Sequence, residues 1–244
     1  MSSHADYICL GTVEAVPSPQ AAGCAVNYGQ SSPKALPSIE MVQAPHQPLS
    51  FEAFLDQYPS GGGRYELIEG EVIEVRPTGA HADIGGFMAL KLVVLIDQAG
   101  LPFTIPRTCV VKPSRPNAGY IPDVAVLNRA QLQHEPLWEK SSTVCNGATI
   151  KLVVEVVSTN WRDDYGLKLA DYEAMGIEEY WIVDFRALGA ARVIGQPKQP
   201  TITLCTLGAD GYQLERFTGN DRLASPTFAG LSLTAQDIFR AGAG

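Results

Sequence analysis

The spacing of apolar residues changes along the chain and predicts strands interleaved with helices. Residues 64–75 predict two short strands folded back at Glu69-Gly70, because glycine tolerates the positive φ that a tight hairpin needs. Apolar side chains recur mostly at helical spacing from about Ala80 to Ala99, which predicts a helix. Further strands are predicted at 103–105, 109–112, 120–127 and 150–157, the last a β-branched run typical of a buried strand.

The second half of the chain continues this alternation. A helix is predicted from Asp163 to Ala174, with two aspartates at its positive N-terminus and Gly176 at its end, and a strand follows at 179–185. The whole pattern predicts an α/β domain whose mixed β-sheet is flanked by helices. Three apolar clusters and a short helix predict a C-terminal antiparallel meander, with the clusters at 192–194, 201–207 and 212–217 and the helix at 234–240.

The composition changes near residue 49. Residues 1–48 are rich in Pro, Gly, Ser, Ala and Gln and lack apolar periodicity, so we predict a poorly ordered leader there. Ser50 can then cap a short helix that runs through Tyr58. We expect a single domain over residues 49–244, because a chain of 244 residues with 45% apolar composition can bury a substantial core.

The cysteines, the N-terminal segment and the longest apolar stretch argue against disulfide-rich, zinc-binding, secreted and membrane proteins. The five cysteines are scattered and form no CxxC pair, which argues against a disulfide framework and against a zinc site. The first basic residue is Lys34, so the basic start of a secretory signal is missing. The longest apolar stretch, Met88 to Ile96, has about half the length that a bilayer span requires. The sequence therefore predicts a cytoplasmic protein with reduced thiols and no membrane partner.

The net charge of −8 argues mildly against a nucleic-acid partner, since polyanion binding depends on Lys and Arg. The distribution of charge changes this picture. Residues 101–170 carry eight basic and six acidic side chains, whereas the segments on either side are acidic. Such an excess has two readings, a local cationic surface or an ordinary fluctuation.

Two carboxylates interrupt apolar strands in this segment. Asp123 lies within Ile-Pro-Asp-Val-Ala-Val-Leu, and Glu155 lies within Lys-Leu-Val-Val-Glu-Val-Val-Ser. Burying an unpaired carboxylate costs several kcal/mol, so each one needs a partner or a cation. A turn cap at Asp123 and ordinary salt bridges are the structural alternatives. Taken together, the two acids favour a site for a hard divalent cation.

A lysine is expected near these acids. Tyr165, Lys168 and Tyr172 share one face of the predicted helix, which begins a few residues after the strand of Glu155. The first turns of this helix can therefore bring the ammonium of Lys168 close to the carboxylates. The alternative is a lysine whose aliphatic stem simply covers apolar surface.

Six segments occur in a recognisable order along the chain: Tyr65–Glu71, His81, Pro122–Val124, Glu155–Ser158, Lys168–Tyr172 and Gly176–Asp184. The most distinctive is the last, a glycine-led turn into Glu-Tyr-Trp-Ile-Val-Asp. This order resembles the Uma family of restriction-endonuclease-like proteins over about residues 49–218. The resemblance implies a restriction-endonuclease-like core with a PD-(D/E)XK-type site, which hydrolyses phosphodiesters in DNA with Mg²⁺, or with Mn²⁺ as an alternative.

The resemblance also implies roles for individual residues. Asp123 and Glu155 would bind the metal ion, and Lys168 would position the attacking water or stabilise the charged phosphorane. Glu66 is the matching early acid, and His81 matches a position that is often histidine in the family. A cation held by two carboxylates lowers the pKa of bound water, and a nearby lysine stabilises charge on the phosphate.

The sequence departs from the family pattern in two places. The lysine of the simplest motif would stand at Val157, so Lys168 on the helix must replace it. The family commonly has Ser-Pro after the acidic strand, whereas this chain has Ser158-Thr159-Asn160.

Two other functions remain open from the sequence. One is a catalytically inactive nucleic-acid-binding or regulatory module of the same fold, and the other is a hydrolase of small phosphate esters. Homodimerisation would allow an enzyme with a single site to cut both strands.

Overall fold

A mixed six-stranded β-sheet lies at the centre of the structure. The structure is a computed structural model, and it describes residues 47–59 and 61–243. The predicted leader at 1–48 falls almost entirely outside these residues, so the boundary at residue 49 stays a prediction. The elements in chain order are α1 (Phe51–Asp56), β1 (Arg64–Ile68), β2 (Glu71–Val75), α2 (Gly79–Gln98), β3 (Phe103–Thr104), β4 (Val110–Val111), β5 (Val124–Asn128), α3 (Arg129–Leu132), α4 (Trp138–Ser141), β6 (Thr143–Val144), a 3₁₀ turn (Gly147–Thr149), β7 (Ile150–Val156), a π-helical turn (Asp163–Leu167), α5 (Lys168–Met175), β8 (Glu179–Asp184), α6 (Ala191–Ile194), β9 (Thr201–Gly208), β10 (Gly211–Phe217) and α7 (Ala235–Ala241).

The strand order in the main sheet is β10-β9-β8-β7-β5-β3, and β7 and β8 are its one parallel pair. A parallel connection needs a crossover, which the π-helical turn and α5 supply. The remaining neighbours are antiparallel. The predicted mixed sheet with flanking helices is therefore confirmed.

The central strand β7 separates two apolar cores. Val154 and Val156 pack in the core that also holds residues of α2 and α7, whereas Val153 and Val157 pack in the core that holds residues of α5. Because side chains alternate along a strand, Glu155 points to the same side as Val153 and Val157. The fold thus directs this carboxylate towards the crossover helix.

The long helix α2 covers one face of the sheet. Thr78 caps its N-terminus by accepting a hydrogen bond from the backbone N–H of His81, and Ile84, Met88 and Leu92 are buried against the core. By length and composition alone this helix could cross a membrane. This is weak evidence for a membrane span, because core helices of globular domains can have the same length and composition. Of the most apolar window of α2, 28% is buried.

The hairpin of β1 and β2 forms as predicted, with Ile68 paired to Glu71 across the turn. Glu69 and Gly70 both adopt positive φ there. A Cβ on Gly70 would lie 2.4 Å from the Cβ of Pro48, so this glycine is required by both conformation and space. A β-bridge from Leu67 to Gly119 attaches the hairpin to the segment that leads into β5.

The C-terminal prediction is partly wrong. β8, β9 and β10 do form an antiparallel meander, but residues 192–194 belong to α6 and not to a strand. The carboxylate of Asp184 accepts hydrogen bonds from the N–H groups of Leu188 and Gly189, which turns the chain away from the sheet after β8. The strand predicted at 109–112 is also short, and its β4 pairs with β6 outside the main sheet.

Candidate active site

A cavity of about 650 Å³ opens between the β1–β2 hairpin, the end of β7 and the π-helical turn. The exposed loop Ser158–Asn160, where the sequence lacks the Pro of the family pattern, forms part of its wall. The cavity is lined by all of the residues that the sequence and the resemblance single out, which are Glu66, His81, Asp123, Glu155 and Lys168.

Asp123 lies directly before β5, beside the carboxyl end of β7. Val124 pairs with Val154 across the antiparallel strands, which puts Asp123 level with Glu155. One oxygen of Asp123, Oδ2, is 2.9 Å from Nε2 of His81 and accepts a hydrogen bond from the backbone N–H of Val156 at 2.8 Å. The strand β7 and the first turn of α2 therefore hold this carboxylate from two sides.

Glu155 is almost completely buried, with 4% of its surface exposed. Its Oε1 atom accepts hydrogen bonds from Nζ of Lys168 at 3.1 Å and from the hydroxyl of Tyr172 at 2.9 Å. Burial raises the pKa of Glu155 well above its usual range, although the charge of Lys168 opposes this shift. The positive charge of Lys168 therefore stabilises the ionised form of Glu155.

Lys168 is held by three carboxylates. Its Nζ atom lies 3.1 Å from Glu66 Oε1, 3.1 Å from Glu155 Oε1 and 3.7 Å from Asp164 Oδ1. Burial alone would lower the pKa of Lys168, but these acids outweigh it and hold the pKa well above its usual value. The side chain is therefore a permanent ammonium group inside the cavity.

Glu66 connects the hairpin to the segment before β5. Its Oε1 atom accepts a hydrogen bond from the backbone N–H of Ile121 at 2.8 Å, in addition to the bond from Lys168. Arg64, on the same strand, donates to the carbonyls of Ile121 and Pro122. The strand β1 thus fixes the backbone immediately before Asp123.

Sequence reasoning missed two contributors to this site. Asp164 was interpreted only as an acid suited to a helix N-terminus, yet it is buried beside Lys168, and burial raises its pKa to about 7. Tyr172 was interpreted as one member of an apolar helix face, yet its hydroxyl binds Glu155. The signal available in the sequence was their spacing, four residues before and four residues after Lys168.

The position two residues beyond the acid does not contribute to the site chemically. The side chain of Val157 packs in the core beneath α5, and its backbone N–H donates to the carbonyl of Val183. Lys168 brings an ammonium group to Glu155 from the helix instead.

A family model described as "Putative restriction endonuclease" (Uma2) matches residues 51–236. The chain belongs to the Uma2 family. No curated protein matches the chain. Among solved structures, it is similar to a protein of Anabaena variabilis described as a "putative nuclease belonging to DUF820", with a TM-score of 0.59 and 17% sequence identity. The similarity covers 80% of this chain and 99% of that protein, and it shows a shared fold.

The Uma2 fold implies a divalent cation, and the donor atoms of this site fit one. Within residues 47–59 and 61–243, no three His, Cys, Asp or Glu side chains are grouped tightly enough to hold an ion by themselves. Mg²⁺ does not require such a cage, because it keeps several waters and binds one or two carboxylates together with substrate phosphate. Asp123 and Glu155 supply two carboxylates of this kind.

The orientation of the carboxylates also fits a cation. Asp123, Glu155 and Glu66 each use one oxygen for the hydrogen bonds described above, and the other oxygen accepts none from the described residues. None of these second oxygens is among the buried atoms left without a partner. Each is therefore open to the cavity, as a metal ligand must be.

The cavity of this Uma2 protein is strongly acidic. Its lining contains three permanently charged cations, Arg76, Lys168 and Arg186. Lys168 is paired with two carboxylates at 3.1 Å, and Arg76 is paired with Glu74 at 2.6 Å. The lining contains eight acids, which are Glu66, Glu69, Glu71, Glu74, Asp123, Glu155, Asp163 and Asp164. A phosphate group approaching this surface would be repelled without additional positive charge.

Proposed function

We propose that this Uma2 protein is a Mg²⁺-dependent endonuclease that hydrolyses phosphodiester bonds in DNA. The observation that carries the proposal is the placement of Asp123 and Glu155 side by side where β5 meets β7, each with an oxygen open to the same cavity as Lys168. We expect the protein to act in the cytoplasm, and to act as a homodimer where both strands are cut.

The cation would be held by Asp123 and Glu155, with Mn²⁺ able to replace Mg²⁺. When bound, it would supply charge stabilisation on the phosphate and a lowered pKa for a coordinated water. His81 and the backbone N–H of Val156 keep one oxygen of Asp123 occupied, so the other faces the cavity. Glu66 holds the segment before Asp123 in place through Ile121.

Lys168 has the geometry and charge to act directly on the substrate. Its ammonium is retained at all physiological pH values because the surrounding acids raise its pKa. Donation from Nζ to a phosphate oxygen, or to the attacking water, would stabilise the negative charge that develops during hydrolysis. Such donation is worth most in a buried site, where water does not compete.

The acid-rich cavity supports a cation requirement for substrate binding as well as for chemistry. Eight lining carboxylates against three cations give a surface that disfavours a bare polyanion. Arg186 lies at this cavity and forms no ion pair with the described residues, so its guanidinium is available for a phosphate. We infer that divalent ions and Arg186 together admit the DNA backbone.

The test is cleavage of supercoiled plasmid in Mg²⁺ or Mn²⁺ by the wild type, by Asp123→Ala and by Glu155→Ala. Glu215→Ala is the control, since this acid is exposed on β10. We expect nicking by the wild type and the control, and loss in both site variants. Equal activity of all four proteins would refute the assignment of the ligands.

The substrate class needs a parallel assay. A small diester such as bis(p-nitrophenyl) phosphate separates a nuclease from a hydrolase of small phosphate esters. Rapid turnover of the small diester without any cleavage of plasmid would favour the hydrolase. Metal and DNA binding without any cleavage would instead favour the inactive binding module.

A further inference from the structure

The hydroxyl of Tyr172 donates to Glu155 at a distance of 2.9 Å, and it binds the same oxygen, Oε1, that accepts from Lys168. Tyr172 is completely buried on α5 and is not part of the cavity lining. Its hydroxyl therefore cannot reach a substrate. It acts on the cavity only through the carboxylate of Glu155.

The ring of Tyr172 is held rigidly by two other tyrosines. Its centroid is 5.8 Å from that of Tyr120 at 88° and 5.0 Å from that of Tyr180 at 77°, which are edge-to-face contacts. The preceding residue on the helix, Asp171, accepts a hydrogen bond from the hydroxyl of Tyr120 at 2.5 Å and pairs with Arg115 at 3.0 Å. These contacts fix the helix and the hydroxyl relative to the segment before β5.

A single donor would leave the orientation of Glu155 poorly defined. Nζ of Lys168 is shared with Glu66 at the same distance of 3.1 Å, and a flexible lysine can follow a carboxylate that rotates. The hydroxyl of Tyr172 is fixed by its ring and cannot follow. Two donors on Oε1, one of them immobile, leave Oε2 directed towards the cavity.

We propose that Tyr172 is a positioning residue, which orients Glu155 so that its second oxygen is presented to the metal ion. This inference rests on the proposed function, because it requires Glu155 to be a metal ligand. Hydrogen-bond partners of metal ligands typically contribute about 10-fold to 100-fold to metal affinity. Tyr172→Phe removes the hydroxyl and keeps the packing of the three rings.

The matched control is Tyr212→Phe. The hydroxyl of Tyr212 donates to the backbone carbonyl of Ile177 at 2.9 Å and makes no contact with the cavity lining. Both variants lose one tyrosine hydroxyl and one hydrogen bond. Unfolding by urea in the presence of a chelator should show a larger loss of stability for Tyr172→Phe, because the hydroxyl of Tyr172 is buried against a carboxylate whereas that of Tyr212 binds a neutral carbonyl.

The decisive measurement is the affinity for Mn²⁺ by titration calorimetry, with Glu155→Gln as the reference for a lost ligand. We expect Tyr172→Phe to bind Mn²⁺ about 10-fold more weakly than the wild type, and Tyr212→Phe to bind it normally. In plasmid nicking, the Mn²⁺ midpoint of Tyr172→Phe should rise by the same factor, with the maximal rate recovered at saturating Mn²⁺.

Two outcomes would overturn the proposal, and they differ. If the wild type binds Mn²⁺, Glu155→Gln does not, and Tyr172→Phe binds as tightly as Tyr212→Phe, then Tyr172 has only a structural role. If the wild type itself binds no Mn²⁺, the metal site and the proposed function fail together with the positioning role.

Discussion

Replacement of Lys168 by methionine tests the electrostatics of the cavity. The substitution keeps most of the side-chain volume and removes the one ammonium that lies among Glu66, Glu155 and Asp164. At 3.1 Å and an effective dielectric constant of about 20, Coulomb's law gives about 5 kcal/mol for each of the two closest pairs. In the variant, the carboxylates take up protons, and this neutralisation offsets part of the lost interaction energy.

We therefore expect Lys168→Met to lower the free energy of unfolding by about 3–5 kcal/mol at pH 7.5, the usual cost of breaking a buried ion pair. At pH 5 the loss should be smaller. The pKa values of Glu155 and Asp164 are already raised by burial, so both acids are readily neutralised as the pH falls. The assay is urea denaturation in a chelator, followed by tryptophan fluorescence at both pH values.

The control is Lys151→Met, which breaks an ion pair with Glu178, whose side chain is 53% exposed. An exposed pair of this kind contributes at most about 1 kcal/mol. If Lys168→Met cost no more than Lys151→Met at pH 7.5, or cost the same at both pH values, the ammonium of Lys168 would not stabilise the buried carboxylates.

Three further predictions follow from single positions. Burial raises the pKa of Asp164 to about 7 in the folded protein, whereas the carboxyl in the unfolded chain has an ordinary pKa of about 4. The wild type should therefore lose stability as the pH rises from about 4 to about 7. The melting temperature of Asp164→Asn in chelator should exceed that of the wild type above pH 7 and equal it below pH 4. A Cβ on Gly147 would lie 2.0 Å from the carbonyl oxygen of Met175, whereas a Cβ on Gly86 would have nothing within 4 Å. Calorimetry should therefore show strong destabilisation by Gly147→Ala and stabilisation of about 0.5–1 kcal/mol by Gly86→Ala. Arg186→Gln should weaken DNA binding in Ca²⁺, measured by fluorescence anisotropy, and reduce the slope of log K against log salt by about 1; an unchanged slope would remove Arg186 from the phosphate contacts.

The central strand of the sheet could be predicted because the pattern that indicates it lies within one short stretch of sequence. The run around Glu155 is apolar and β-branched over more residues than an exposed strand needs, so it indicated a buried central strand. The carboxylate within it stood out for the same reason. Lys168 could be placed near the acid because the helical period and the short connection after β7 leave few other positions.

Other parts of the site depend on packing that no local pattern reports. The role of Asp164 depends on a π-helical turn at the start of the crossover, whereas the sequence indicated a regular helix. Its burial follows from the way that turn meets Lys168. The function of Tyr172 depends on the distance between α5 and β7, which is set by tyrosines from three separate segments.

The helix α6 shows the limit of strand propensity. Val193 and Ile194 favour a strand by type, but the chain between Ala190 and Gly195 closes into a single helical turn, with Gly195 at φ +93°. The carboxylate of Asp184 starts this reversal by binding two backbone N–H groups after β8. Two backbone N–H groups, four and five residues after Asp184, donate to its side chain and so compete with continued strand pairing.

The most direct test of the metal-dependent nuclease is the rate of plasmid nicking as Mg²⁺ is titrated, for the wild type and for Glu155→Gln. We predict a saturable dependence on Mg²⁺ in the wild type, complete inhibition by chelator, and loss of activity in Glu155→Gln at every Mg²⁺ concentration. Nicking that persists in chelator, or that Glu155→Gln retains at the wild-type rate, would contradict it.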